Sequence, residues 1–510
     1  MNTKFNRTNY KVSIILLMFL PAALVAGPLL SEIIINFLWI AFLYDVVKNK
    51  KFDVFKNFIF LYFLLFFLYL FIIAASSEIF EEIALNVIFY FRFILFAFAI
   101  CEIIKSNENN LKLLYISLSL TIFIVVIDGY VQLLFEKNTL GFAKYRVDRI
   151  SGFFKEDLIL GSYLFRILPL LIGLTLLFQK KLKHFTYFNF LLIISSSILV
   201  FLSGERASFI LLSLALIIIL IQINITNKIK LLISIFTLSI LIFIFNSNNI
   251  IFDRYVKQLK THIFSIKTKE VLPNYLPMFN TAYKMFNEKK FIGFGPKSYR
   301  YYCSDKRFVT YFPQTKKIDN TSITIINSWK ELRRLEVNKI FVKVGDIIEK
   351  GDSLFSYYYS NDDKINYYLS DKEGKIISIN DKATYIRYSE FAKINPLNSP
   401  NIIIKKINSC NTHPHNTYVQ LLAETGIIGF IFIFTIFCYV GFLILRNIIN
   451  IIFYNKRSMN GFEISILACF FSILWPLSTS GNFFNNWMNI ISFFPLGFYL
   501  YINKSKVKNI

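Results

Sequence analysis

A chain of 510 residues would suit about three soluble domains, but 55% hydrophobic and 18% aromatic residues with a mean hydropathy of +0.52 mark a membrane protein. With 18 Gly, 12 Pro and 5 Cys, it is neither a collagen-like fibre, nor a disulfide-dense secreted scaffold, nor a disordered chain. The net charge of +24 would direct a soluble protein toward nucleic acid; here it reports how Lys and Arg are distributed about apolar segments, and no nucleic-acid partner is expected.

About 20 apolar residues cross a hydrocarbon core of roughly 30 Å. Twelve stretches are read as such helices: 12–27, 30–47, 57–75, 83–104, 113–135, 158–178, 186–203, 207–223, 231–246, 417–445, 462–479 and 485–502. The first follows a basic start like a signal peptide, yet further spans follow at once, so it reads as an uncleaved helix. With the N-terminus inside, the inner connections carry Lys48, Lys50, Lys51 and Lys56, then Lys105 and Lys112, Lys180, Lys181 and Lys183, and Arg446, Lys456 and Arg457. The short outer connections hold one basic residue, Arg206, beside Glu78, Glu81, Glu82 and Glu205. The positive-inside rule therefore predicts N-in and C-in.

The expected fold is an all-α integral membrane protein of about 12 transmembrane helices with a large periplasmic loop. Residues 1–246 carry helices one to nine, 247–303 form the proximal part of that loop, 304–409 are an insert, and 410–510 carry the return and helices ten to twelve. Arg92 lies inside the fourth span, where a lone charge faces a cavity or a partner, with Glu102 or Asp128 as candidate counter-ions. Glu424 and Asp128 are further intramembrane acids.

The insert changes character. Lys339 to Asp346 alternates as a strand, Gly345-Asp346 and Gly351-Asp352 supply turns, and Gly374 to Ile379 is a second strand. This pattern resembles the barrel-sandwich hybrid domains that carry lipoyl or biotinyl groups, and Lys364 lies near the carrier-lysine position. Lipoylation is cytoplasmic chemistry, so a small β-rich, barrel-sandwich-like insert contacting a periplasmic partner or glycan is favoured over a modified lysine. Cys303 and Cys410 bracket the insert on the oxidising side and are expected to pair, whereas Cys101, Cys438 and Cys469 lie in spans and should stay reduced.

Two of the four His stand at the point where the large loop returns to the membrane, in Thr412-His413-Pro414-His415-Asn416. Thr412 or His413 can precede a helix with Pro414 in its first turn, placing His415 at the positive end of the dipole, where a neutral, proton-accepting imidazole is favoured. Read alone, His415 suits an interfacial polar residue as well as a base. Gly293 and Gly295 form a lone Gly-x-Gly without the strand-to-helix context of a nucleotide site. No spacing of His, Cys or acids makes a metal site, and no Asp-x-Asp is present, so no metal and no cofactor are expected.

The segment HPHNTYVQLLAETGIIGF (413–430) resembles the signature of the O-antigen ligase and O-antigen polymerase superfamily. RISGFFKEDLILGSYL (149–164), SGERASF (203–209) and GFGPKSYR (293–300) agree in order with the same family, and the likeness covers the chain outside 304–409. It implies a metal-independent glycosyltransferase of a bacterial inner membrane, moving a glycan from an undecaprenyl-diphosphate donor to an acceptor hydroxyl on the periplasmic face. The acceptor is lipid A-core for a ligase, a growing glycan for a polymerase, or a protein for the related oligosaccharyltransferases. The resemblance implies His415 as base and Arg206 on the departing diphosphate, although here Gly precedes the Glu205-Arg206 pair and Ala207 follows it. A second arginine is expected among Arg300, Arg254 and Arg149, with Arg92, His413 and Asn416 as further substrate contacts. Glu78, Glu81 or Glu82 is the rival base. A transporter or scaffold with a partner-binding periplasmic domain is the alternative function, disfavoured because no inverted repeat or paired broken helices are evident.

Overall fold

A computed structural model describes residues 4–507 apart from 147, 248, 258–274, 318–321, 325–334, 360–361, 381–383, 386–389, 397–401 and 409. Each apolar stretch contains helix, although the one read as 462–479 is helical only to Ile473. We number α1 (Lys4–Ala26), α2 (Pro28–Lys48), α3 (Phe58–Ala75), α4 (Phe80–Ile88), α5 (Arg92–Ser106), α6 (Glu108–Phe135) and α7 (Leu160–Phe178). There follow α8 (Lys183–Leu202), α9 (Arg206–Gln222), α10 (Asn227–Ser247), α11 (Tyr275–Glu288), α12 (Thr417–Tyr454), α13 (Gly461–Ile473) and α14 (Asn486–Val507).

Among the described residues seven helical segments are long and apolar enough to cross a membrane, counting 80–106 as one. The stretches in α1, α9 and α13 are shorter apolar helices. The protein is mostly helical and membrane-embedded. Asparagine starts several helices: Asn57, Asn107, Asn416 and Asn460 each cap a first turn by accepting from its backbone N–H groups, and Glu463 completes a capping box with Asn460.

Burial sorts the helices into layers. The window in α7 is 83% buried, whereas α3, built almost wholly of Phe, Leu, Ile and Tyr, is only 22% buried. Leu61, Leu65, Leu68, Phe71 and Ile72 of α3 are exposed, a surface that only lipid can cover at low cost. Several polar residues inside the bundle are paired across helices: Tyr163 donates to the Pro21 carbonyl (2.9 Å) and Asn447 to Gln222 (2.8 Å).

The expected fourth span is interrupted. Residues 89–91 break it between α4 and α5, and Arg92, in the first turn of α5, pairs with Glu32 of α2 at 2.8 Å rather than with Glu102 or Asp128. Glu102 is held by Lys105 (3.1 Å), and Asp128 accepts from the Thr139 amide and hydroxyl and from Asn138. The start of α12 also differs from expectation. Asn416 is the cap, so Pro414 and His415 precede the helix, and His415 takes a left-handed φ of 58°.

Helix α12 is 38 residues, about 57 Å at helical rise, and breaks at Gly426 (φ 61°, ψ −169°). The backbone groups freed there are taken up by residues 290–295. Ile427 N donates to the Lys290 carbonyl (2.8 Å), and Gly295 N donates to the Glu424 carbonyl (2.8 Å). A Cβ on Gly426 would overlap the Phe291 carbonyl, so both the positive φ and the close approach demand glycine.

The insert is a β sandwich on a two-stranded stalk. Strands β1 (Tyr311–Lys317) and β10 (Ile402–Asn408) pair antiparallel from Tyr311↔Asn408 to Lys317↔Ile402. Beyond them lie β2 (Ser322–Thr324), β3 (Leu335–Ile340), β4 (Ile347–Ile348), β5 (Ser353–Tyr359), β6 (Asp362–Leu369), β7 (Gly374–Ile379), β8 (Thr384–Tyr385) and β9 (Glu390–Pro396). These form two sheets of order β2-β9-β7-β4 and β6-β5-β3-β8, which enclose Ile323, Leu335, Ile348, Leu354, Phe355, Ile376 and Phe391. The strand expected through Asp346 stops at Ile340. Asp346 and Asp352 instead each turn the chain, accepting from the amide three residues earlier (2.7 and 2.8 Å). Lys364 lies within strand β6.

Cys303 and Cys410 are disulfide-bonded with their Cα atoms 4.8 Å apart, and Cys101, Cys438 and Cys469 stand outside any disulfide. Closing a loop of this length stabilises by up to about 4–5 kcal/mol in the chain-entropy model. Cys303→Ser is therefore expected to lower the thermal unfolding midpoint by the same amount as reductant, with no further effect of reductant on the variant; a wild-type midpoint indifferent to reductant would contradict this. Gly426→Ala should sharply reduce the yield of folded protein.

Candidate functional site

The family-like motifs come together in two pairs, 149–164 with 203–209 and 293–300 with the start of α12. The turn between α8 and α9 is tight because Gly204 has φ 71°, and a Cβ there would strike the Asp148 carbonyl. Ile150 N donates to the Ser203 carbonyl, so the 149–164 and 203–209 segments are joined by backbone as well as by charge. Arg254, from the start of the large loop, donates through Nε to the Gly204 carbonyl (3.2 Å).

Four arginines converge there. Arg146 grips Asp148 with two hydrogen bonds (2.8 and 3.0 Å), and Arg254 Nη1 stands 3.2 Å from the same carboxylate. Arg149 donates to the Leu158 carbonyl (2.9 Å) and approaches Glu205 at 3.9 Å. Arg206 opens α9 beside them. Burial alone would raise the Asp148 carboxyl, but Arg146, Arg254 and Arg149 outweigh it and hold the group below the usual range. Burial, together with the neighbouring arginines, lowers Arg254 to about 10, which still leaves the guanidinium charged at neutral pH.

The two carboxylates are already engaged. Glu205 accepts from the Gly161 and Ser162 amides (2.7 and 2.9 Å) and from Ser208 (3.0 Å), capping the start of α7. Against them the guanidinium groups hold donors in reserve: Arg149 Nε, Arg206 Nη1 and Arg166 Nε are buried without an acceptor. Buried donors of this kind are rare in folded proteins unless a water, an ion or a ligand completes them. Arg166, inside α7, donates to the Ser162 carbonyl (2.8 Å) and feels Glu205 electrostatically. The arrangement suits an anion with several oxygens that accepts from more than one guanidinium.

A second group forms around the histidines. His413 is buried, its Nδ1 2.9 Å from the Thr412 hydroxyl and its Nε2 3.2 Å from the Ser480 carbonyl. A carbonyl can only accept, so the ring proton is on Nε2 and Nδ1 accepts from Thr412. Burial, with His415 and Arg300 nearby, lowers its pKa to about 4. Both nitrogens are thus committed, and His413 is a neutral strut rather than a ligand contact. Asn416 is similarly spent: its carbonyl accepts from Tyr418 N and Val419 N, and its amide donates to Pro476 and Ser478.

His415 is different. Its Nε2 lies 3.1 Å from the Asn411 amide nitrogen, and Asn411 Oδ1 is fixed by the Thr412 amide (2.7 Å), so the Asn411 NH2 donates and Nε2 accepts. Asn411 is exposed, and a substrate hydroxyl could take its place on that lone pair. Burial lowers the His415 pKa below its ordinary value. Ser480 clamps the loop by donating its amide to the His415 carbonyl (2.9 Å) and sharing a hydroxyl contact with Thr417 (2.8 Å).

Arg300 is exposed on this side and acts electrostatically on His413 and Lys297. Lys297 donates to Asn86 (2.5 Å), and burial, reinforced by Arg300, lowers its amine to about 8. Its amide and that of Tyr299 donate to the Glu424 carboxylate (2.9 and 3.1 Å), so this acid anchors the 293–300 loop. Gly293 and Gly295 serve the same crossing of α12, which explains the Gly-x-Gly without any nucleotide. Glu78, the rival base, accepts from the Tyr302 hydroxyl (3.4 Å). The structure therefore gathers Arg206, Arg149 and Arg254 in one group and His415, His413, Asn416 and Arg300 in another, with Arg92 tied to Glu32. Arg146, Arg166, Lys297, Asn411 and Ser480 were not singled out from sequence; only Arg166 gave a signal, as a charge within an apolar run.

Comparison with protein-family models and with curated proteins finds no match, so ligand preference has to be read from these groups themselves. Pyrophosphate is expected to raise the thermal midpoint of the purified protein, and Arg206→Gln or Arg254→Gln to abolish that rise. Equal stabilisation of both variants would show that the arginine group does not hold the anion.

Proposed function

We propose that the protein transfers a glycan from an undecaprenyl-diphosphate donor to an acceptor hydroxyl, as O-antigen ligases and polymerases do. The observation that carries this reading is the set of buried guanidinium donors without acceptors on Arg149, Arg166 and Arg206, at the mouth of a bundle whose outer surface belongs in lipid. A diphosphate on a lipid tail matches both features: its oxygens accept from several arginines while its chain stays in hydrocarbon.

In this scheme the acceptor hydroxyl replaces Asn411 on His415 Nε2 and attacks the anomeric carbon of the donor. The new C–O bond forms as the bond from that carbon to the diphosphate oxygen breaks. The proton passes to His415, and the arginines, with Arg206 foremost, stabilise the departing diphosphate. No metal or cofactor is required by this chemistry. The lipid A-core acceptor of a ligase and the growing glycan of a polymerase both fit.

The orientation belongs to the same proposal: 12 spans, N-in and C-in, in a bacterial inner membrane with the site facing the periplasm. The segments read as outer, 136–157, 203–206 and the large loop, contact one another. Lys51, read as inner, pairs with Asp45 near the end of α2, and the same carboxylate accepts from Tyr10 (2.9 Å in each case).

Deleting the gene should leave surface polysaccharide either bare at lipid A-core, with lipid-linked polymer accumulating, or cut to single repeats; unchanged glycans would refute the assignment. His415→Ala should fold and lose roughly 10²–10⁴ in transfer rate, the usual range for a general base. Because the neutral ring is the active form and burial depresses its pKa, the acid limb of the rate profile should fall below the ordinary histidine value. Activity that keeps falling from pH 8 to 7 would assign the base elsewhere.

A further inference from the structure

Helix α11 carries Tyr275, Phe279 and Tyr283 at four-residue spacing, which places three rings in one row on the helix surface. A neighbouring stripe of the helix is its anchor: Thr281, Ala282 and Met285 are buried, with Ala282 and Met285 packed among Phe294, Tyr299, Tyr302, Phe308 and Ala423. Tyr275 is 38% exposed and Tyr283 62% exposed, with the half-buried Phe279 between them, so the row stays accessible beside the core that fixes the helix. Its first ring touches the proposed base: the centroids of Tyr275 and His415 lie 5.3 Å apart, and Tyr275 is near-parallel to Phe279 (23°, 6.5 Å).

We propose that this aromatic row is the track on which the acceptor saccharide lies, leading its reactive hydroxyl to His415. This deepens the glycosyl-transfer reading and rests on it. A pyranose ring has a face of C–H bonds with a weak positive edge, which packs on the negative face of an aromatic ring, while its hydroxyls remain free for polar partners. Exposed Asn411, bonded to His415, supplies such a partner near the first ring. Four helical residues advance about 6 Å, so successive rings of the row can meet successive sugars of a chain. The track contains no charge of its own and selects a saccharide by shape, separately from the arginine group that takes the diphosphate.

The test uses full-length protein in lipid nanodiscs and an oligosaccharide released by mild acid from the host's own surface polysaccharide. Saccharide binding is read by saturation-transfer NMR, and transfer by KM for acceptor and donor separately. Tyr275→Ala should weaken saccharide binding and raise acceptor KM about tenfold with donor KM unchanged, while Tyr275→Phe, which keeps the ring, behaves as wild type. Tyr283→Ala, at an exposed position tolerant of substitution, should impair long acceptors more than a single repeat. Unchanged acceptor KM in both alanine variants overturns the track, as does a loss in Tyr275→Phe equal to that in Tyr275→Ala. Variants that alter only depth in the bilayer would make the row an interfacial anchor and also overturn it. A wild-type protein that binds the saccharide through Tyr275 yet transfers nothing would sink the transfer reading and leave the track standing.

Discussion

The exchange of backbone hydrogen bonds between residues 290–295 and the break in α12 is the constraint on which the placing of the histidine loop depends. A helix that opens inside a membrane protein must find new partners for its freed carbonyls and amides, since lipid offers none. Here the Lys290, Phe291 and Gly295 backbone supplies them, and the Tyr69 hydroxyl adds a bond to the Thr425 carbonyl (2.7 Å). Glu424 then reaches past the break to hold the amides of Lys297 and Tyr299. From that fixed loop the chain runs directly to Cys303, and the disulfide returns it to Cys410, a few residues before His415. The position of the candidate base is thus inherited from an interruption in a helix about ten residues further on.

The two charged groups solve different problems. Around Gly204 the cost of burying several guanidinium groups is met partly by Asp148 and Glu205, and each carboxylate is drawn into more than one interaction. Among the described residues the guanidinium groups of Arg146, Arg149, Arg206 and Arg254 outnumber these two carboxylates, a surplus that an anionic ligand would balance. Around the histidines the two neighbouring rings diverge in role although they share a sequence motif. His413 spends both nitrogens on its own loop, and His415 keeps one bonded only to an exposed amide.

Much of the helical layout was legible because hydropathy reports burial in lipid without reference to tertiary contacts. The insert was legible for a related reason: alternating apolar residues and Gly-Asp turns act locally, and the Cys303–Cys410 bond followed from their flanking of it. What escaped was set by long-range contact. Nothing near Arg92 in sequence points to Glu32, because that pair is made across helices. Ser480 has no motif; it matters only because its loop folds onto His415. The expected helix start at Thr412 failed since Asn416 is the stronger cap, satisfied on both its oxygen and its nitrogen. Gly293 and Gly295 were visible as a pattern, yet their purpose became clear only once the break at Gly426 supplied the surface they cross.

The stalk of the β sandwich has an architectural consequence. Strands β1 and β10 run side by side, and just beneath them Cys303 and Cys410 bring the two chain ends to 4.8 Å between Cα atoms. The sandwich has its own apolar interior, separate from that of the bundle. Departure and return through a single narrow neck make the 304–409 segment a graft in topological terms: it can be lengthened, exchanged or removed with little change to the path of the chain on either side. A lineage could therefore vary what this lobe meets in the surrounding space while the machinery beneath it stays as it is.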